Sequence, residues 1–303
     1  MKKSIGLLSV LLVVVGLSTY NVASASTNKE LNLNVNGQKV AGQGPIIINN
    51  NTLVPIRTVS LIPSLKVDWD NTTKTVTVID SMTKDVVKLK VGSKTAYIGD
   101  KQVTLATPAI VKEGLTYVPF RFIGEGLKAH VEWDSNTNTL IIYKPDEELS
   151  QLVTGSDITD ARNGLIKLPR ILLHDGLLPL EDGGAGGTYY FEFGQKNAFI
   201  YIYRGLAQYY ELKNGAAWQT WEAQVGSQDN NNKDVIPNVI SSIKGEWGTR
   251  PLFTGKINYF MDLWMLDQVK YGTFDESGKS IFEDSKSINN RSESIIFEIP
   301  NES

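Results

Sequence analysis

Val54-Pro55-Ile56-Arg57 and, 64 residues on, Val118-Pro119-Phe120-Arg121 decide how this chain is read. Trp69-Asp70 stands 14 residues beyond the first proline, and Trp133-Asp134 stands 14 residues beyond the second. The proline, arginine, tryptophan and aspartate therefore recur at one offset, which marks a duplicated supersecondary unit of two ~64-residue repeats. Each copy reads as strand, turn, strand, helix, strand, strand. Leu31, Leu33 and Val35 alternate with asparagines before the hairpin turn Asn36-Gly37, and Tyr97-Ile98-Gly99-Asp100-Lys101-Gln102-Val103 holds the matching place in the second copy. Proline has no N–H and a fixed φ, so Pro55 and Pro119 suit the end of a strand and the first turn of a helix. Short helices are expected over 58–65 and 122–127, and β-branched last strands over 75–79 and 139–143.

Repetition bears on what the recurring residues do. A residue kept at one place in both copies is most economically explained by the unit's own fold. Arg57 and Arg121 are then expected to bond a turn carbonyl, Asp70 or Asp134, and Trp69 and Trp133 to anchor a small core. The alternative makes the arginines anion clamps.

Val-Pro-x-Arg, a short helix, Trp-Asp and a β-hairpin, all duplicated, resemble the copper amine oxidase N-terminal (stalk) domain-like family over about residues 30–144. The resemblance implies a non-catalytic α+β module carried by exported bacterial proteins with different partners. Its fold signature here is Pro55, Arg57, Trp69, Asp70, Pro119, Arg121, Trp133 and Asp134. It brings no amine oxidase chemistry. Such an enzyme needs three histidines for copper and a tyrosine that becomes a quinone, whereas this chain has only His130 and His174, and Asn258-Tyr259 runs into Phe260.

The N-terminus points to export. Lys2-Lys3, an apolar run over 5–17 and Ala23-Ser24-Ala25 have the layout of a cleaved signal peptide over residues 1–25. The run is short for a membrane span, which takes roughly 20 residues. The chain has no cysteine, so disulfides and lipid attachment at cysteine are excluded, which fits a bacterial envelope. Residues 28–145 carry 14 Lys+Arg against 10 Asp+Glu, while residues 146–303 carry 14 against 23. That asymmetry sets a domain boundary near Pro145-Asp146-Glu147-Glu148, and the mild positive balance of the first part does not call for nucleic acid.

Residues 146–303 hold 20 of the 28 aromatic residues. Residues 188–194, 197–205, 208–213 and 216–225 read as consecutive hairpins, with turns at Gln195-Lys196 and Asn214-Gly215. Phe199, Tyr201 and Tyr203 face one way and Ile200 and Ile202 the other, so that strand is expected to be covered on both faces. Strands are also expected over 258–265 and 294–299, with a helix over 259–269 as the competing reading of the first. A β-rich domain follows, of which a sandwich is one arrangement. Tyr209, Trp218 and Trp221 flank one hairpin and are the candidates for stacking on a sugar. Other constellations are weaker. The glycines at 183–187 lack the lysine of a phosphate loop, and Asp229-Asn230-Asn231-Asn232-Lys233-Asp234 lacks the glycine and distal glutamate of an EF-hand. His174-Asp175 are adjacent and cannot orient each other as a triad does. Glu192, Glu211 and Glu222 are carboxylates from which a glycosidase pair would be drawn.

The expected protein is α+β: a duplicated stalk-like α+β module at 30–144, then a β-rich C-terminal domain at 146–303. It is expected to be exported, secreted or wall-associated, without cofactor, metal or a transmembrane segment after cleavage. The module would be a spacer or attachment unit, and its partners a cell-wall polymer, a glycan or an envelope protein. The alternatives are a carbohydrate-active hydrolase using paired carboxylates in the C-terminal domain, and a structural or regulatory protein that binds another protein through its acidic surface.

Overall fold

A computed structural model describes residues 31–180, 186–225, 243–289 and 294–302. The leader at 1–25, the asparagine-rich stretch at 229–234 and the Gly183-Gly184-Ala185 part of the glycine-rich run lie outside the described residues. The first part of the chain forms β1 (Asn32–Val35), β2 (Gln38–Lys39), β3 (Ile46–Ile48), β4 (Asn51–Pro55), helix α1 (Ile56–Val59), β5 (Leu65–Asp70) and β6 (Thr75–Asp80). It continues with β7 (Val86–Lys90), β8 (Thr95–Ile98), β9 (Lys101–Thr104), β10 (Ile110–Lys112), β11 (Leu115–Pro119), helix α2 (Phe120–Leu127), β12 (His130–Asp134) and β13 (Thr139–Tyr143).

The α+β expectation fails here: the module is mostly β. Pro55 and Pro119 do open helices, but α1 is a single turn because β-branched Thr58 and Val59 are followed by Pro63, which bars helix from the residue before it. Across the chain, twenty-two strands and four helices form among the described residues.

The two Val-Pro elements meet. β4 pairs antiparallel with β11, with Val54 opposite Val118, Leu53 opposite Pro119 and Pro55 opposite Tyr117. Each pairing maps onto another when 64 is added to one partner and subtracted from the other, so a local pseudo-twofold axis runs between Val54 and Val118. The N-terminal hairpins then change places. β1–β2 joins β13–β12, and β8–β9, its counterpart, joins β7–β6–β5. Neither copy is self-contained; both close one core, which includes Leu33, Val54, Val76, Leu89, Val118, Leu127 and Leu140.

The second part begins with two helices, α3 (Glu147–Thr154) and α4 (Ile158–Leu165). Asp146 and Asp157 cap them, accepting hydrogen bonds from Leu149 N (3.0 Å) and Asp160 N (2.8 Å). Then come β14 (Arg170–Ile171), β15 (Thr188–Glu192), β16 (Ala198–Tyr203), β17 (Leu206–Lys213), β18 (Ala216–Val225), β19 (Ile243–Gly248), β20 (Ile257–Leu263), β21 (Gln268–Phe274) and β22 (Ser280–Ser287). They form one sheet in the order β14-β18-β17-β16-β15-β20-β21-β22, with β19 also on β18. A two-sheet sandwich is not what this sequence builds. One face of the sheet packs on α3 and α4 through Val153, Leu165 and Leu168 and on Ile296 and Ile299, while Ile200, Trp221 and Tyr259 lie in a separate cluster. The alternation in β16 holds, with Phe199 and Ile200 both buried in different clusters. Residues 294–299 are not a strand. Asn163 holds them instead, donating to Ile296 O (2.9 Å) and accepting from Ile296 N (3.2 Å).

Residues 31–303 cluster as one compact unit, and β13 explains how. Leu140 and Ile142 face the module core, while Ile141 and Tyr143 face Ile171, Ala216 and Trp218. The counterpart strand β6 has Thr77 and half-exposed Ile79 at those outward places. Around this seam, Lys213 pairs with Glu132 (3.0 Å), and Lys144 reaches buried Asp80 (2.7 Å) and Leu127 O (2.6 Å). Burial alone would raise the Asp80 carboxyl, but the Lys144 ammonium and the N–H groups of Met82 and Thr83 outweigh it and hold it below its usual range.

Candidate functional site

The repeated residues divide into two kinds. Pro55 and Pro119 are buried at the strand–helix junctions, and Pro55 O accepts from the Thr58 hydroxyl (2.7 Å). Asp70 and Asp134 cap the hairpin turns after β5 and β12. Asp70 accepts from Thr72 N (2.8 Å) and Thr73 N (3.1 Å), and Asp134 accepts from Asn136 N (3.2 Å), Thr137 N (3.0 Å) and the Thr137 hydroxyl. The bond from Thr73 N is the largest cause of a lowered Asp70 carboxyl pKa. These four are framework.

Arg57, Arg121, Trp69 and Trp133 are not. Both arginines are exposed, and neither makes a hydrogen bond or ion pair among the described residues, so the expected bond to a turn carbonyl or to Asp70 or Asp134 does not form. Trp69 is 36% and Trp133 46% exposed, against the expectation of core anchors. Their indoles have no ring, cation–π or hydrogen-bond partner among the described residues. For Trp133 the cause is local to α2. Gly124 presses this helix onto β12 so closely that a Cβ there would come within 2.8 Å of Val131 Cγ2. Val131, two residues before Trp133 on the same side of β12, takes the buried place. The ring is left on the rim of a cleft of about 420 Å³ lined also by Arg121, Glu125 and Leu140. In the first copy, Leu61 (42% exposed) stands where Glu125 stands in the second.

The sugar-stacking candidates of the C-terminal half are placed otherwise. Trp221 is fully buried, and its Nε1 donates to Glu246 Oε1 (2.7 Å). Trp218 is 6% exposed, donates to Lys213 O (3.0 Å) and meets Tyr143 edge-on at 6.0 Å in the seam. Half-buried Tyr209 sits edge-on to Phe253, and burial pushes its hydroxyl up to about 12. With both indoles enclosed, these three residues present no open platform to a sugar.

The carboxylates proposed for hydrolysis have other partners. Glu211 is exposed, and Glu192 accepts from Thr254 N (3.3 Å). Glu222 is 1% exposed and accepts from Leu177 N (2.6 Å), Gln208 Nε2 (2.9 Å) and Gln219 Nε2 (3.3 Å). His174 joins this knot. Gly176 N donates to its Nδ1 (2.9 Å), so the proton sits on Nε2, which donates to Gln219 Oε1 (3.1 Å). Trp247 stacks on the ring at 3.8 Å, and adjacent Asp175 turns away to Lys39. The knot fastens the segment after β14 to β18 and β19. Sequence reading missed it because its members come from remote strands. Among the described residues, no group of three or more His, Cys, Asp or Glu is placed to hold a metal ion.

The module is an interlaced, mostly β unit that carries Arg57, Trp69, Arg121 and Trp133 of its repeated signature on its surface. Residues 34–142 match the family described as Copper amine oxidase N-terminal domain, in agreement with the resemblance drawn from the duplicated motif. Over 149 residues the chain is 32% identical to a protein named "Protease inhibitor" from Brevibacillus choshinensis, covering 48% of this chain and 42% of that protein. The chain thus spans less than half the length of this relative. No helix among the described residues is long and apolar enough to cross a membrane.

Proposed function

We propose that this is an exported, non-catalytic cell-envelope protein in which the duplicated module is the attachment unit and the nine-stranded sheet is a rigid body fixed to it. One observation carries this reading: four exposed members of the repeated signature, Arg57, Trp69, Arg121 and Trp133, make no hydrogen bond, ion pair or ring contact among the described residues. Unpartnered aromatic and guanidinium groups suit a partner supplied from outside. The leader-like N-terminus and the match over 34–142 support an extracellular setting. Export is tested by N-terminal sequencing of protein recovered outside the cytoplasm, which should begin at Ser26. Attachment is tested by retention of the full mature chain on isolated, protein-free cell wall. Failure to sediment with wall sinks the attachment reading.

A second reading, binding to a secreted protease, is favoured by the name of the Brevibacillus relative and by the exposed turn between β20 and β21, where Met265 and Leu266 project. Titration of the mature chain against secreted serine and metalloproteases decides it, and unchanged rates at a tenfold molar excess reject it.

A further inference from the structure

We propose that the module binds a glycan strand at two related surface places, a stronger one formed by Trp133 with Arg121 and Glu125 in one cleft, and a weaker one at exposed Trp69, the repeat counterpart of Trp133. This deepens the attachment reading and rests on the module being the half that attaches.

The chemistry of the groups selects the ligand. A pyranose ring offers an apolar face of C–H bonds and an edge of hydroxyls that both donate and accept. The Trp133 indole supplies an open face for the first. The unengaged Arg121 guanidinium is a fixed fork of donors, and the Glu125 carboxylate is an acceptor, for the second. Glu125, like Arg121, makes no ion pair or hydrogen bond among the described residues, so all three groups are free to engage a ligand. Three tryptophans of the C-terminal half are committed: Trp218 and Trp221 through Nε1, Trp247 by stacking on His174. A polyanion is a poorer fit, because Glu125 and Glu132 line the same cleft as the arginine.

Duplication adds a second argument. The two places are related by the pseudo-twofold axis between Val54 and Val118 and are held on one core. Two contacts at fixed separation benefit a ligand that is itself a repeating polymer, because the second contact is made at high effective concentration. The copies are unequal, since Leu61 replaces Glu125 and takes away the acceptor.

The test uses the full mature chain and two probes: an array of hexasaccharides from cellulose, chitin, xylan and pectin, and isolated peptidoglycan sacculi. Trp133→Ala should weaken the array binding by about tenfold and Trp69→Ala by about threefold, magnitudes set by the worth of one stacked ring. Arg121→Met should cost about tenfold, and the Trp69→Ala/Trp133→Ala double variant should bind no array member. All four variants should melt within a few degrees of the wild type, since both indoles are partly exposed and none of these side chains is bonded among the described residues. Absence of wild-type binding to every array member, or equal binding by the double variant, overturns the proposal. The sacculi separate it from the broader reading. Equal retention of wild type and double variant on sacculi keeps envelope attachment and rejects this site. Trp-dependent array binding without retention on sacculi keeps the site and rejects envelope attachment.

Discussion

Glu302 is the residue whose loss should be felt furthest from where it stands. Its carboxylate accepts from Arg162 Nη1 and Nη2, both at 2.7 Å, and from Gly194 N at 2.7 Å. Arg162 also donates to Gln195 O (2.8 Å) and Glu192 O (3.1 Å) and lies over the Phe191 ring at 4.7 Å. Both side chains are 1% exposed. Glu302→Ala leaves a buried guanidinium with only two carbonyls, and removing one partner of a buried pair costs about 3–5 kcal/mol. Arg162→Met should also destabilise, because it leaves the buried Glu302 carboxylate with Gly194 N as its remaining donor among the described residues. An Arg162→Met/Glu302→Leu double variant should recover most of the loss, since an apolar pair of like volume tolerates burial that a single charge does not. Chemical denaturation of the three variants and the wild type, followed by tryptophan fluorescence and far-UV circular dichroism, measures these differences. A Glu302→Ala midpoint corresponding to a change under about 0.5 kcal/mol would refute the reasoning, because it would mean that residues 294–302 are not docked on α4 in solution.

Other outcomes follow from the same geometry. Trp221→Ala should destabilise by about 3–5 kcal/mol while Trp133→Ala costs under about 1 kcal/mol, a contrast that calorimetry checks and that reverses if the module tryptophan is a core anchor. Lys144→Met strands the buried Asp80 carboxylate and should cost about 3 kcal/mol, with much of the loss relieved by Asp80→Asn in the same chain, as thermal melts of single and double variants would show. Gly124→Ala sets a methyl 2.8 Å from Val131 Cγ2 and 3.2 Å from Ala129 O, and should destabilise by about 1–3 kcal/mol by denaturant titration. Arg250, and then the Trp221 N–H, hold the Glu246 carboxyl down to about 2. A depressed folded pKa gives stability that is present above the unfolded value near 4.5 and lost as pH falls towards 2. Discounted for the pair's exposure, that is about 1 kcal/mol, absent in Glu246→Gln and measurable as a smaller acid loss in melts between pH 5 and 2.

What could be read from the chain was local. Asn36-Gly37 and Asn214-Gly215 take positive φ at both residues, as a two-residue hairpin turn asks of asparagine and glycine. Pro55 and Pro119 open helices, and Asp70 and Asp134 cap turns four residues long, because each acts on backbone close by in sequence. The exchange of β1–β2 and β8–β9 between the copies had no such signal, for a hairpin does not encode which of two equivalent sheets it will join. The helices α3 and α4 did have one in the caps Asp146 and Asp157, each ahead of an apolar-periodic run, and the acidic character of the region hid it. The split of β13 between two cores was hinted at only in Ile141 and Tyr143, apolar where β6 has Thr77.

The tryptophans show why the functional site was the hardest part to read. An aromatic residue in a strand is a core residue if an element covers its side of the sheet, and that covering element is remote in sequence. Trp221 is covered by β19 and Trp218 by the module, so the aromatic-rich half spends its rings on packing. Trp133 lies beside α2, which would ordinarily bury it, but Gly124 and Val131 take the contact and leave the ring outside. Packing cannot account for an exposed ring and an exposed guanidinium that both recur at the same offset, since a residue without internal partners adds little to the fold that repeats it. The repeated proline and aspartate are accounted for by the backbone they cap. The repeated arginine and tryptophan are not accounted for in that way, so the proposed ligand is sought on the module rather than on the aromatic half.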